Sequence, residues 1–227
     1  ITDSIIDRCY VSLRTKEVTY VFPFRFNIKD ENGLFKIQKI PELNFSHKFW
    51  EYLEKTKNQY SSQLPPEEYF YYIYAILYSN IYRQKYREFL KIDFPRIPFT
   101  KDYEIFESLS SLGEELANLH LLKSKSLDYS SAKFCGYGEG KVEKIEYKDK
   151  KIFVNETQYF SPVEESVYNY FIGGYQVLNK WLKDRKGRVL SSEDIKHYCK
   201  IVTSLQLTIE IQERIDKFYP KVEKDFI

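Results

Sequence analysis

The sequence contains no methionine in 227 residues and begins with isoleucine, which reads as a fragment of a longer protein. Cysteine is scarce. Cys9, Cys135 and Cys199 are odd in number and far apart, so no pair has metal-ligand spacing and a disulfide framework is disfavoured. Thiols used this way fit a reducing, cytoplasmic compartment. Histidine is as sparse: His47, His120 and His197 are scattered, and His120 lies in a Leu-rich stretch where a hydrogen-bonded packing role is expected. No apolar run reaches the roughly 20 residues that span a bilayer and no secretory signal is visible, so no membrane partner is expected. Charge of one sign is lacking too. The 35 Lys and Arg residues face 33 Asp and Glu, a net charge of +2, and total charge therefore gives no argument for a polyanionic partner.

Catalytic signatures are also missing. Gly136-Tyr-Gly-Glu-Gly-Lys141 superficially resembles a phosphate-binding glycine loop, but no Ser or Thr follows the lysine and the next residues alternate like a strand. A plain glycine-rich loop is the better reading, one whose backbone permits close approach of a ligand. Asp128 with Ile145-Glu-Tyr-Lys148 can be fitted to the acid–acid–lysine pattern of metal-dependent nucleases. That pattern is short and common, and charged residues on the outer face of a hairpin explain it better. There is no dinucleotide fingerprint and no recognisable nucleophile context. The Asp/Asn-Pro-Pro-Tyr/Phe segment by which amino-methyltransferases hold a flipped adenine is absent, since Pro65-Pro66 lacks both of its neighbours. The chain is expected to bind rather than to catalyse.

What is present is apolar and aromatic. Hydrophobic residues make up 43% and aromatic residues 18%, which places the chain among globular rather than disordered sequences. Tyr10–Leu13 and Val18–Phe22 read as strands around a cationic tip at Arg14 and Lys16, and Phe22, Phe24 and Phe26 alternate as an edge strand containing Pro23. Asp30-Glu-Asn-Gly33 is a turn, and a short helix is expected near Ser46–Lys55. Pro65-Pro66-Glu67-Glu68 starts a buried helix through Tyr78, with an apolar stripe continuing through Tyr82, Tyr86, Phe89 and Leu90. Tyr103, Phe106, Leu109, Leu116 and Leu119 recur at three-or-four spacing and predict a second helix. Strands return between Phe134 and Phe160, with a turn at Lys148-Asp-Lys-Lys151. Two helices then close the chain, over roughly Pro162–Lys183 and Ser192–Lys217, the last facing inward through Ile195, Cys199, Val202, Leu205 and Ile209. The fold class is α+β: mixed β-sheet segments with hairpins, packed against several amphipathic helices and ending in a long C-terminal helix. A subdivision at 1–126 and 127–227 is possible.

Cations concentrate in Arg83–Arg96 and Lys180–Arg188, which can create a basic face on a nearly neutral protein. The second cluster sits in the most specific stretch of the chain, Phe171-Ile-Gly-Gly-Tyr-Gln-Val-Leu-Asn-Lys-Trp-Leu-Lys-Asp-Arg-Lys-Gly-Arg188. Its glycine pair allows a sharp turn or a close approach. Val177, Leu178, Trp181 and Leu182 form a helical stripe, Gly187 fits a left-handed stop, and Ser191 with Asp194 forms an N-cap signature.

This stretch resembles the C-terminal end of the specificity domain of Type ISP restriction–modification enzymes. The same resemblance runs through Pro66–Leu90, Asp93-Phe-Pro-Arg-Ile-Pro98 and Ser111–Leu122, in the family's order and over most of residues 1–217. Lys29 to Gln63 departs from the pattern, being longer and more irregular. The resemblance implies that the chain recognises one short, asymmetric duplex DNA sequence for an adjoining adenine-N6 methyltransferase domain. It also implies intramolecular methyltransferase and nuclease/helicase partners. S-adenosylmethionine, and Mg²⁺ for cleavage, would serve that parent, and no cofactor is expected in this fragment. The candidate phosphate contacts are Arg14, Lys16, Arg25, Arg83, Arg87, Lys180, Arg185, Lys186 and Arg188. Taken singly, each of these cations is better explained as a solubilising surface charge. A competing reading is a helical coupling module that packs on catalytic domains and touches no DNA.

Overall fold

A computed structural model describes residues 24–26, 42–49, 51 and 64–225. The expected hairpin around Arg14 and Lys16 and the turn at residues 30–33 lie outside these residues. Of the aromatic edge strand, β1 (Arg25–Phe26) is described and pairs antiparallel with β2 (Glu42–Leu43). Residues 47–49 and 51 are helical, inside the short helix expected there.

The first helix, α1 (Pro66–Tyr78), starts as its sequence predicts, with proline in the first turn and Glu67 and Glu68 at the positive helix end. It does not continue through Leu90 as one stripe. The chain turns extended at Ser79, whose hydroxyl accepts from Tyr82 N–H at 3.2 Å and donates to Asp216 at 2.6 Å. Asp216 also accepts from Asn80 Nδ2 and Ile81 N–H, so one carboxylate fixes the break. A new helix, α2 (Asn80–Lys85), begins there and leads into a 3-10 turn at Phe89–Lys91. Residues 94–99, with Pro95 and Pro98, belong to no helix or strand. Helix α3 (Tyr103–His120) then packs on α1, buries Phe106, Leu109, Leu116 and Leu119, and is capped by Asp102.

The second half holds a four-stranded antiparallel sheet of β3 (Lys133–Cys135), β4 (Glu146–Lys148), β5 (Lys151–Phe153) and β6 (Tyr159–Ser161), ordered β3-β6-β5-β4. Asp149 and Lys150 both take positive φ, 52° and 58°, which makes the expected turn the type I′ form favoured between twisted strands. Phe160, Ile152 and Val154 form the buried face.

The predicted helix over Pro162–Lys183 is not continuous. It is α4 (Glu165–Tyr168), a hairpin of β7 (Phe171–Ile172) and β8 (Tyr175–Gln176), and α5 (Val177–Lys183). Gly173 sits at φ +59° at the hairpin tip, so the glycine pair turns the backbone rather than opening a helix directly.

Helix α6 (Ser192–Lys224) extends beyond the predicted end at Lys217, because apolar residues keep their spacing through Ile211, Ile215, Tyr219 and Val222. Its 33 residues span roughly 50 Å. The first half docks Tyr198, Cys199, Val202 and Leu205 on the sheet cluster. The second half docks Ile211, Ile215, Tyr219 and Val222 on the α1–α3 cluster. One helix therefore belongs to two cores. Cutting the chain after residue 126 would deprive the first core of those four side chains.

Candidate nucleic-acid interface

The expected capping box of α6 is present. Ser191 Oγ accepts from Asp194 N–H at 3.1 Å, and the Asp194 carboxylate accepts from Ser191 N–H at 3.1 Å. The Ser191 backbone N–H, and then the Ser191 hydroxyl, which donates to the Asp194 carboxylate at 2.9 Å, hold the Asp194 carboxyl below its ordinary value, and Arg185 adds to the effect. Arg185 Nε donates to Asp194 at 3.2 Å, Nη1 donates to the Trp181 carbonyl at 3.2 Å, and the guanidinium lies 3.5 Å from the centre of the Trp181 ring. Arg185 is thus engaged in joining the end of α5 to the start of α6.

Other candidates are engaged as well. Arg25 pairs with Glu67. Lys180 pairs with Asp184 at 2.5 Å, one helical turn on. Arg14 and Lys16 lie outside the described residues. Arg83, Arg87, Lys186 and Arg188 are exposed and form no ion pair with a described residue. These four divide into two places. Lys186 and Arg188 flank the loop that bonds to the end of the glycine-rich segment, through Gly187 N–H to Val142 O at 2.7 Å and Val142 N–H to Arg188 O at 2.9 Å.

Arg83 and Arg87 line an open cleft of about 680 Å³. One wall is Asn80, Arg83, Gln84, Arg87, Leu90 and Lys91, spaced so that α2 and its following turn present one face. The other wall is Ser166, Asn169, Tyr170 and Phe171, and Gln212 of α6 joins the two. Gln212 donates to the Tyr78 carbonyl at 3.0 Å and accepts from the Tyr170 hydroxyl at 3.2 Å. Burial, with a smaller contribution from Tyr78, pushes the Tyr170 phenol up, which keeps it a protonated donor. Three cations and no carboxylate stand among the described lining residues, although Lys91 is shared with Glu88 at 2.7 Å. A second hollow of about 300 Å³ shares Arg83, Leu90, Tyr170 and Phe171 with the first and adds Leu77, Tyr78, Tyr82 and Ile172. The lining of both hollows combines cations with neutral donors and aromatic rings, which suits phosphate groups.

Sequence reasoning missed the neutral half of this cleft. Asn80, Gln84, Ser166, Asn169 and Gln212 come from three separate segments, and no local spacing connects them.

The two catalytic look-alikes are built for other purposes. A Cβ at Gly136 would lie 2.0 Å from Thr157 O, and one at Gly138 would lie 2.7 Å from Gln158 Oε1. Gln158 Oε1 accepts from Gly140 N–H at 2.7 Å, and its amide nitrogen donates to Gly138 O at 3.3 Å. The glycines therefore serve packing against the β5–β6 turn. Asp128 pairs with Lys200 at 3.7 Å, and Glu146 pairs with Lys144. Different cations hold the two acids, and no group of three or more metal-binding side chains occurs among the described residues. No helix among them is long and apolar enough to cross a membrane.

Comparison with known proteins places this geometry in a family. No curated protein matches the sequence at a significant level. Solved structures that share the fold include three bound to DNA or a DNA substrate mimic. A nuclease-deletion mutant of the Type ISP restriction–modification enzyme LlaGI, in complex with a DNA substrate mimic, is 22% identical with a TM-score of 0.51, covering 65% of this chain and 13% of that one. The ATP-dependent Type ISP restriction–modification enzyme LlaBIII bound to DNA is 20% identical with a TM-score of 0.57, covering 82% of this chain and 13% of that one. The DrdV–DNA complex is 19% identical with a TM-score of 0.59, covering 73% of this chain and 20% of that one. The chain thus spans a fifth or less of the length of these structures. A family profile described as the Type ISP C-terminal specificity domain matches residues 1–214, nearly the whole sequence, and the chain belongs to that family.

Proposed function

We propose that this domain binds duplex DNA and reads one short target sequence on behalf of a larger cytoplasmic restriction–modification enzyme. The cleft carries the reading: Arg83 and Arg87 stand there without carboxylate partners among the described residues, beside hydrogen-bond donors of neutral charge. Cations arranged so neutralise phosphates and release counterions, which supplies affinity and register but no sequence information. Lys186 and Arg188 form a second cationic place, roughly 30 Å from Gln212 along α6. A duplex held at both would lie along the domain. Lys180, Arg185 and Arg25, each engaged within the fold, contribute less to DNA than these four. Whatever reads bases acts from this frame by hydrogen bonds and apolar contacts in a groove.

The parent would supply the chemistry. We infer that it is an adenine-N6 methyltransferase using S-adenosylmethionine on a flipped base, with Mg²⁺ reserved for cleavage by its nuclease part. In that division of labour the present domain positions DNA and holds no cofactor.

A salt-titrated binding assay tests the reading. Wild type should bind duplex DNA with log affinity falling linearly in log salt. Arg83→Ala with Arg87→Ala should make the slope shallower by about 0.9 per lost phosphate contact. Salt-independent binding, or none, would favour the coupling module instead.

A further inference from the structure

The hairpin of β7 and β8 leaves three large apolar side chains in the open: Phe171 is 55% exposed, Ile172 51% and Tyr175 60%. Its tip is Gly173-Gly174. Other described glycines have internal reasons to be glycine. Gly113 lets α3 approach α1 so closely that a Cβ there would lie 1.9 Å from Tyr71 O. Gly173 takes φ +59°, which L side chains rarely adopt. Gly174 has neither reason. Its φ is not positive, a Cβ there would meet nothing within 4 Å, and a two-residue turn of the type II′ form needs glycine only at its first central position. The tip therefore presents bare backbone in open space, between exposed apolar side chains. Phe171, at the foot of the hairpin, lines the same cleft as Arg83 and Arg87, and no described carboxylate faces that cleft.

We propose that this hairpin is a two-stranded ribbon that enters the major groove of the bound duplex, with Gly174 providing close backbone approach and Phe171, Ile172 and Tyr175 making apolar contacts. Two strands lie about 4.8 Å apart, and a major groove about 12 Å wide admits such a ribbon. Thymine methyl groups on its floor match the apolar flanks. The ribbon complements the phosphate contacts: arginines hold the backbone while the hairpin explores the base edges between the strands. This inference rests on the duplex-binding reading above.

The test is Gly174→Val, measured against wild type on a mixed-sequence duplex and on the same duplex carrying bulky glucosyl groups in the major groove. Because the position has open space and ordinary φ, the melting temperature should not change. Affinity for the plain duplex should fall by about tenfold, the size of one well-placed contact, with the salt slope unchanged because no charge is lost. Blocking the groove should weaken wild type by a similar factor and the variant by much less, since the contact is already gone. Tyr175→Ala, which removes an exposed ring, repeats the test by a second route should the valine disturb folding. Unchanged affinity in the variants, with wild type binding normally, overturns the ribbon and leaves the duplex reading standing; such a hairpin would dock on protein. Additive losses from variant and groove block also overturn it, by placing the hairpin away from the major groove. Failure of wild type to bind any duplex sinks both proposals together.

Discussion

Arg185 and Lys186 are adjacent cations, the first engaged within the fold and the second exposed, and substituting them separately tests whether they do different work. Arg185→Ala removes the stacking on Trp181 at 3.5 Å, the bond to the Trp181 carbonyl and the ion pair to Asp194. A stacked guanidinium contributes about 0.5–1 kcal/mol when exposed and about 2 when desolvated. The Arg185 and Asp194 side chains are 29% and 33% exposed, so their pair is partly screened and adds at most about 1 kcal/mol. The total is about 1–3 kcal/mol. For a domain of this size each kcal/mol moves the melting temperature by about 2–4 °C, so scanning calorimetry should show a clear decrease. Asp194 keeps its bonds from Ser191, so the variant should still fold. Lys186→Ala, at an exposed position without an ion pair to a described residue, should melt like wild type and lose affinity for duplexes of any sequence. Melting unchanged in Arg185→Ala, together with a larger affinity loss than in Lys186→Ala, would refute the structural role of Arg185 and return it to the DNA surface.

Two further expectations concern the interior and the cofactor. His120 bridges the Tyr74 hydroxyl at 2.7 Å and the Thr208 hydroxyl at 3.1 Å, and burial pulls its pKa down from 6.5 to about 4. The unfolded chain takes up this proton first as pH falls. Its contribution is therefore complete above pH 6.5 and is lost progressively between 6.5 and about 4, by up to about 3 kcal/mol. Denaturant titrations should show that decline in wild type and a flatter profile between pH 6.5 and 5 in His120→Gln; identical profiles would contradict the assignment. The isolated domain should take up no S-adenosylmethionine in calorimetry, and saturable heats would place cofactor binding here rather than in the parent's other domains.

Local signals in this sequence translated well into local structure. Ser191 and Asp194 spelled a capping box, Asp149-Lys150 a hairpin turn, and the apolar spacing of Tyr103–His120 a helix. What failed was decided by distant residues. The stripe from Tyr78 to Leu90 reads as one helix, yet Asp216, well over a hundred residues away, captures Ser79, Asn80 and Ile81 and breaks it. The stretch before Lys183 reads as helical through its apolar content, whereas the hairpin separates two short helices. Cation clusters were visible, but pairing was not: Lys180 with Asp184 follows a helical spacing, while Arg185 with Asp194 depends on how α5 meets α6. The cleft draws on Ser166, Asn169 and Gln212 as well as the basic helix, and only the basic helix announced itself.

The central claim is that this domain selects a DNA sequence, and selection from a randomised duplex pool by the isolated chain tests it most directly. The account predicts enrichment of one short asymmetric motif, with affinity for that motif at least about a thousandfold above that for unrelated duplexes at physiological salt. Binding that recovers no motif, with a single salt-dependent affinity for every duplex, would contradict it and reduce the domain to a phosphate-gripping surface.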